Sequence, residues 1–128
     1  MKLKEIAEST KKIESGAWVE DLPNLPGVAI KARGTFNSDY NRLFQKLRAK
    51  LSPADLMNDE VNEEIETQLL VETILLDWKG IDDATYSKAL ASDLLRKPDM
   101  AILRRAVVYA GNVVVREGRD SVESATKN

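Results

Sequence analysis

Leu69-Leu70-Val71-Glu72-Thr73-Ile74-Leu75-Leu76-Asp77-Trp78-Lys79-Gly80-Ile81 is the most apolar run of the chain, and its reading decides the fold. Its apolar residues do not keep to one side. Leu69, Leu70, Val71, Ile74, Leu75, Leu76 and Trp78 go most of the way around a helix. A helix apolar all round lies in a core or spans a membrane. Spanning needs roughly 20 nearly charge-free residues, and this run is shorter and carries Glu72 and Asp77. The reading is therefore a central, buried helix of a small domain, ended by Gly80 in the usual position of a C-terminal glycine.

The sequence around this run is polar, with 31% charged residues and a formal net charge of -2. A chain of 128 residues can bury a core without staples. It contains no cysteine and no histidine. Thiolate chemistry, disulfides and the commonest general base and metal ligand are thereby excluded. A mildly acidic, well-mixed charge balance disfavours nucleic acid or an anionic membrane as a bulk partner. The N-terminus, Met1-Lys2-Leu3-Lys4-Glu5, lacks the apolar core of a secretion signal.

On the N-terminal side, Leu3, Ile6, Ala7 and Ile13 predict a helix over 2–14 that stops at Gly16. Two partly alternating stretches, Ala17–Asp21 and Val28–Gly34, flank the turn chemistry of Leu22-Pro23-Asn24-Leu25-Pro26-Gly27 and predict a β-hairpin. Trp18 and Ile30 are its expected contacts with the helices. Tyr40, Leu43, Phe44, Leu47 and Leu51 form one stripe of a helix over 37–51, capped by Asn37 or Ser38. Arg42, Lys46, Arg48 and Lys50 lie off that stripe.

Ser52-Pro53-Ala54-Asp55 starts another helix: serine caps, proline suits the first position, and an acid suits the first turn. A continuous helix from 53 to 79 would be roughly 40 Å long. Either it breaks near Asn58 to Asn62, or its acidic start projects beyond the core. A further helix is expected over 86–96, and a last one opened by Asp99 or the residue before it. The last helix turns Leu103, Ala106, Val107, Ala110, Val113 and Val114 inward and ends at Gly118. The division is then a helical domain over 1–118 and a polar, disordered tail over 119–128. The fold class is mainly α: about four or five helices with one short β-hairpin near the N-terminus.

Site signals are sparse. The acids from Asp55 to Glu66 lack EF-hand spacing and read as a solvated helix face, so no metal site is assigned. Asp82 and Asp83 read as turn residues rather than a catalytic pair. No spacing indicates an enzyme, and no cofactor is expected. The basic residues Arg42 to Lys50, with Arg96, Lys97, Arg104 and Arg105, carry no recognition signature. Ile102, Val108, Tyr109 and Val115 exceed what the last helix needs to turn inward. They either pack beneath the hairpin or first helix, or meet another protein. With Trp18 they form the candidate protein-interaction set.

The order of short motifs resembles the tail assembly chaperones of long-tailed, lambda-like bacteriophages. It runs from Gly27-Val28-Ala29-Ile30-Lys31-Ala32-Arg33-Gly34 through Asp39-Tyr40 and Asp77-Trp78-Lys79-Gly80-Ile81. It continues with an acidic turn, Tyr86-Ser87, Leu94-Leu95 and Pro98-Asp99, then a final amphipathic helix. The chain lacks the longer glycine-containing turn found in such proteins between the Trp-Lys-Gly-Ile segment and Tyr-Ser. The resemblance implies a non-enzymatic protein of the host cell cytoplasm, not part of the mature virion. Its partner would be the tape-measure protein. A frameshifted form with a longer C-terminus would recruit the tail tube protein. Many copies per partner imply weak homo-oligomerisation and no membrane association. The alternative is a small regulatory or adaptor protein touching nucleic acid through the basic face of the helix at 37–51.

Overall fold

In a computed structural model, the backbone is described for residues 1–127 and the side chains for residues 1–118. The chain is mainly helical, with a small antiparallel sheet. Helix α1 (Leu3–Ser15) leads to strands β1 (Ala17–Val19) and β2 (Ala29–Ala32). Then come helices α2 (Ser38–Arg48), α3 (Pro53–Leu56) and α4 (Asp59–Leu69). A π-helical turn, Leu70–Ile74, feeds strand β3 (Leu75–Lys79). Helix α5 (Lys88–Leu95), a 3₁₀ turn at Pro98–Met100 and the long helix α6 (Ala101–Lys127) complete the order.

The predicted hairpin forms, with Val19 opposite Ile30 and Trp18 opposite Lys31. It gains a third strand that the sequence reading does not contain. β3 pairs antiparallel with β2, placing Trp78 opposite Ile30 and giving the order β1-β2-β3. The decisive run is therefore buried as expected but is not one helix. It is the last residue of α4, a π turn and a strand.

A β-bulge explains the disguise. Lys31 faces Asp77 while Ala32 faces Leu75, so Leu76 is the extra residue. Side chains of a regular strand alternate, and a bulge resets that alternation. Leu75 and Trp78 consequently both enter the core, while Leu76 remains 36% exposed. Ile74, Leu75 and Trp78 carry the spacing of a helix face on what is mostly extended chain.

Gly80 follows a strand rather than capping a helix. Its φ is +91°, and a Cβ there would lie 2.1 Å from the Gly27 carbonyl oxygen. Trp78 donates Nε1–H to the Ala84 carbonyl at 2.7 Å and meets Tyr86 edge-on at 5.1 Å. The Ile81–Ser87 connection is thereby wrapped around the buried indole, and Tyr86 precedes α5 instead of belonging to it.

The inner face of the sheet, with Val19, Ile30 and Ala32, rests on Leu70, Val71 and Ile74 of the π turn and on Leu103, Ala106, Val107, Ala110 and Val114 of α6. Each large buried side chain of this set contributes about 2 kcal/mol by leaving water. Trp18 is a correction. Its neighbour Val19 takes the core position, so alternation turns Trp18 to the outer face, 39% exposed, under the Lys79 ammonium at 4.4 Å.

The stretch from 53 to 69 breaks, as one of the two alternatives required. Met57 ends α3, and the Asn58 side chain caps α4 by accepting from Glu60 and Val61 N–H. Helix α6 is longer than expected: Gly118 lies inside it instead of ending it. The expectation of a disordered tail over 119–128 falls outside the residues whose side chains are described.

Candidate functional site

A partly uncovered apolar surface runs along α2, α3 and the segments beside them, with Phe36, Phe44, Leu56 and Met57 exposed. Helix α2 begins where Asn37 caps it, accepting from Tyr40 N–H at 2.9 Å. Asn37 is itself buried, donating Nδ2 to the Gly34 carbonyl at 2.9 Å and to the Thr73 carbonyl at 2.8 Å. One amide thus fixes the start of α2 against the π turn. Glu14 clamps the same end from outside, accepting from Ser38 N–H and Ser38 Oγ at 2.9 and 2.7 Å. Arg33 bridges Glu14 and Asp39 at 3.1 and 2.8 Å. The Ser38 hydrogen bonds, helped by Arg33, hold the Glu14 carboxyl below its ordinary pKa against the opposing effect of burial.

Beyond this anchored end, α2 has no fully buried residue, although its apolar stripe is complete. Phe36 projects just before the helix with φ +64° and 68% exposure. Its ring meets Tyr40 edge-on at 5.3 Å, and Tyr40 stacks with Phe44 at 6.4 Å. Three of the chain's seven aromatics (two Trp, three Tyr, two Phe) therefore form a ladder on one face. Tyr40 and Phe44 form one wall of a cleft of about 280 Å³ that continues over Leu51, Leu56, Ile65 and Leu69. Arg48 stands at the α2 rim and Glu66 at the α4 rim. Partial burial, with the Glu66 charge adding to it, pushes the Tyr40 phenol above its ordinary pKa.

The predicted interaction residues are not one patch. Seven residues are nearly two helical turns, so Ile102 and Tyr109 share one edge of α6 while Val108 and Val115 share the other. Ile102 is exposed, and Val108 and Tyr109 pack partly against the core. Val115 lies close to Gly34. Trp18 is on the outer face of the sheet with Lys31, Asp77 and Lys79.

Several basic candidates have structural employment. Arg104 donates to the carbonyls of Glu63 and Leu95 at 3.0 and 3.1 Å and to Thr67 Oγ1, tying α6 to α4 and α5. Arg96 holds Glu64 at 2.7 Å, which is the main reason that carboxyl sits below its ordinary pKa. Asp82 and Asp83 are exposed turn residues. Among the described residues, no group of three or more acids is placed to hold a metal ion, and no helix is long and apolar enough to cross a membrane.

The aromatic cleft was the feature missed by the sequence reading, which turned the whole α2 stripe inward. One signal was available: Phe36, Tyr40 and Phe44 stand four residues apart, continuing the stripe backwards past the cap.

Fold and surface together define a small, mainly helical protein with a three-stranded sheet and an aromatic groove between helices. A family model described as "YdaY prophage protein" matches residues 35–128, and the chain belongs to that family. It is a phage-derived protein, and the match begins where the aromatic ladder does. No curated protein and no solved structure matches the chain.

Proposed function

We propose that this prophage protein is a non-enzymatic assembly factor, a tail assembly chaperone that binds the helical tape-measure protein in the host cytoplasm. The observation that carries the reading is the partly uncovered apolar stripe of α2, with Phe36 and Phe44 exposed and Tyr40 half-buried between them, beside a cleft between two helices. Such a groove takes the apolar face of a third helix, with anchors three and four residues apart. The Arg48 rim suits a helix carrying acids along one edge, while Glu66 on the opposite rim is held by Arg104 at 3.1 Å. Aromatic anchors in a partly desolvated cleft supply most of the energy of such contacts. Phage ancestry and the order of short motifs along the chain support the same reading. Recruitment of the tail tube protein by a C-terminally extended form is part of the proposal.

The test is co-expression with the tape-measure protein of the same prophage. A soluble complex is expected, and Tyr40→Asp with Phe44→Asp should abolish it. A tape-measure protein that stays insoluble, or does not co-purify with the wild-type chain, removes the basis of this function.

A further inference from the structure

We propose that the other flank of the α2–α4 pair is where two copies of this chain meet. The floor of this flank is Leu47 of α2 and Leu51 just past it, with Val61 and Ile65 of α4, none fully buried. They line a second hollow of about 370 Å³. The wall at the C-terminal end of α2 is basic: Lys50, two residues past the helix, lines it, and Lys46 lies in the helix's last turn. Its α4 wall is acidic, with Glu60 and Glu64. Glu64 is occupied by Arg96. Lys46, Lys50 and Glu60 have no ion-pair partner among the described residues.

Cations on one side of an apolar seam and an acid on the other make a face complementary to itself. A half-turn about an axis along the seam sets Lys46 and Lys50 of each copy against Glu60 of the other. A half-turn about an axis across the seam would oppose lysine to lysine. Charge therefore selects one two-fold arrangement, and a closed pair results. The four half-buried apolar residues of each copy then cover those of the other. Leu51 and Ile65 also line the aromatic cleft, so the two surfaces adjoin, but Tyr40 and Phe44 line only the cleft. The inference rests on the charges of this second hollow and not on the tail-assembly reading.

The experiment is sedimentation equilibrium on the full chain. Wild type should dimerise, and raising salt from about 0.05 to about 0.5 M should weaken it, because exposed charges are screened. The Lys46→Glu, Lys50→Glu double variant and the Glu60→Lys variant should each dimerise at least about tenfold more weakly. An equimolar mixture of the two should restore wild-type association, since each then supplies the charge the other lacks. Phe36→Gly should leave the dimer unchanged. A monomeric wild type, a dimer indifferent to salt, or a mixture no tighter than its components would each overturn the proposal.

Discussion

Asn37 does three things with one side chain. Its carbonyl caps α2, and its amide satisfies two buried carbonyls, one of them released by the π turn. Removing a cap costs about 1 kcal/mol, and each buried partner left unsatisfied costs about 1–3 kcal/mol. Asn37→Ala is therefore expected to lose about 3 kcal/mol in urea unfolding. Asn37→Ser keeps the cap but not the amide, and should fall between Ala and wild type. Equal losses for the two would show that only the amide matters.

Glu14 gives the residue scale its pH dependence. Its folded-state pKa lies below the ordinary carboxylate value, for the hydrogen bonds and charge described above. The unfolded chain therefore binds this proton more readily than the folded one. The stabilisation is fully present above the unfolded value of about 4.3 and disappears as pH falls through the folded one. Thermal unfolding followed from pH 6 downward should show the midpoint falling at acid pH. In Glu14→Gln that fall should be shallower, with a lower midpoint at pH 6.

At the scale of elements, stability is unevenly spread. β2, β3 and the middle of α6 carry most of the buried residues, whereas α2 and α3 carry none. Elements with little buried surface open locally before the whole unfolds. Amides of α2 and α3 should therefore exchange with deuterium well before those of β2 and α6, as read by peptide-level mass spectrometry. Uniform protection would mean that α2 is held by something beyond its anchored N-terminal end.

The same unevenness explains what could be read from the chain. Ser52-Pro53-Asp55, Asn37 and Gly16 are local signals, and each terminates or starts a helix as its chemistry requires. The apolar residues of α6 are also legible, because a helix shows its inward face at a fixed period. β3 is not legible, because its bulge at Leu76 breaks the two-residue period that would have revealed it. The aromatic groove is hidden for a different reason. A stripe of apolar residues looks the same in a sequence whether its own chain covers it or leaves it for another.

For the whole molecule, the question is whether the exposed ladder serves folding or binding. Phe36 sharpens it, since a bulky residue at φ +64° is strained by about 1–2 kcal/mol. Its contact with Tyr40 returns only about 0.5–1.5 kcal/mol. Strain of this kind persists where a residue is held for use rather than for stability. Phe36→Gly should therefore fold with a stability within about 1 kcal/mol of wild type, because glycine accepts this backbone without strain. By contrast, Leu95→Ala, at a residue 2% exposed, should cost about 2–5 kcal/mol. Binding should rank these variants in the opposite order. Phe36→Gly combined with Phe44→Ala is expected to weaken capture of the helical partner at least about tenfold, measured by titration calorimetry. Leu95→Ala, assayed at a temperature where it remains folded, should bind within about twofold of wild type. If the ladder variants unfold while binding is untouched, the aromatic face belongs to the fold, and the partner must be sought on α6 or at Trp18.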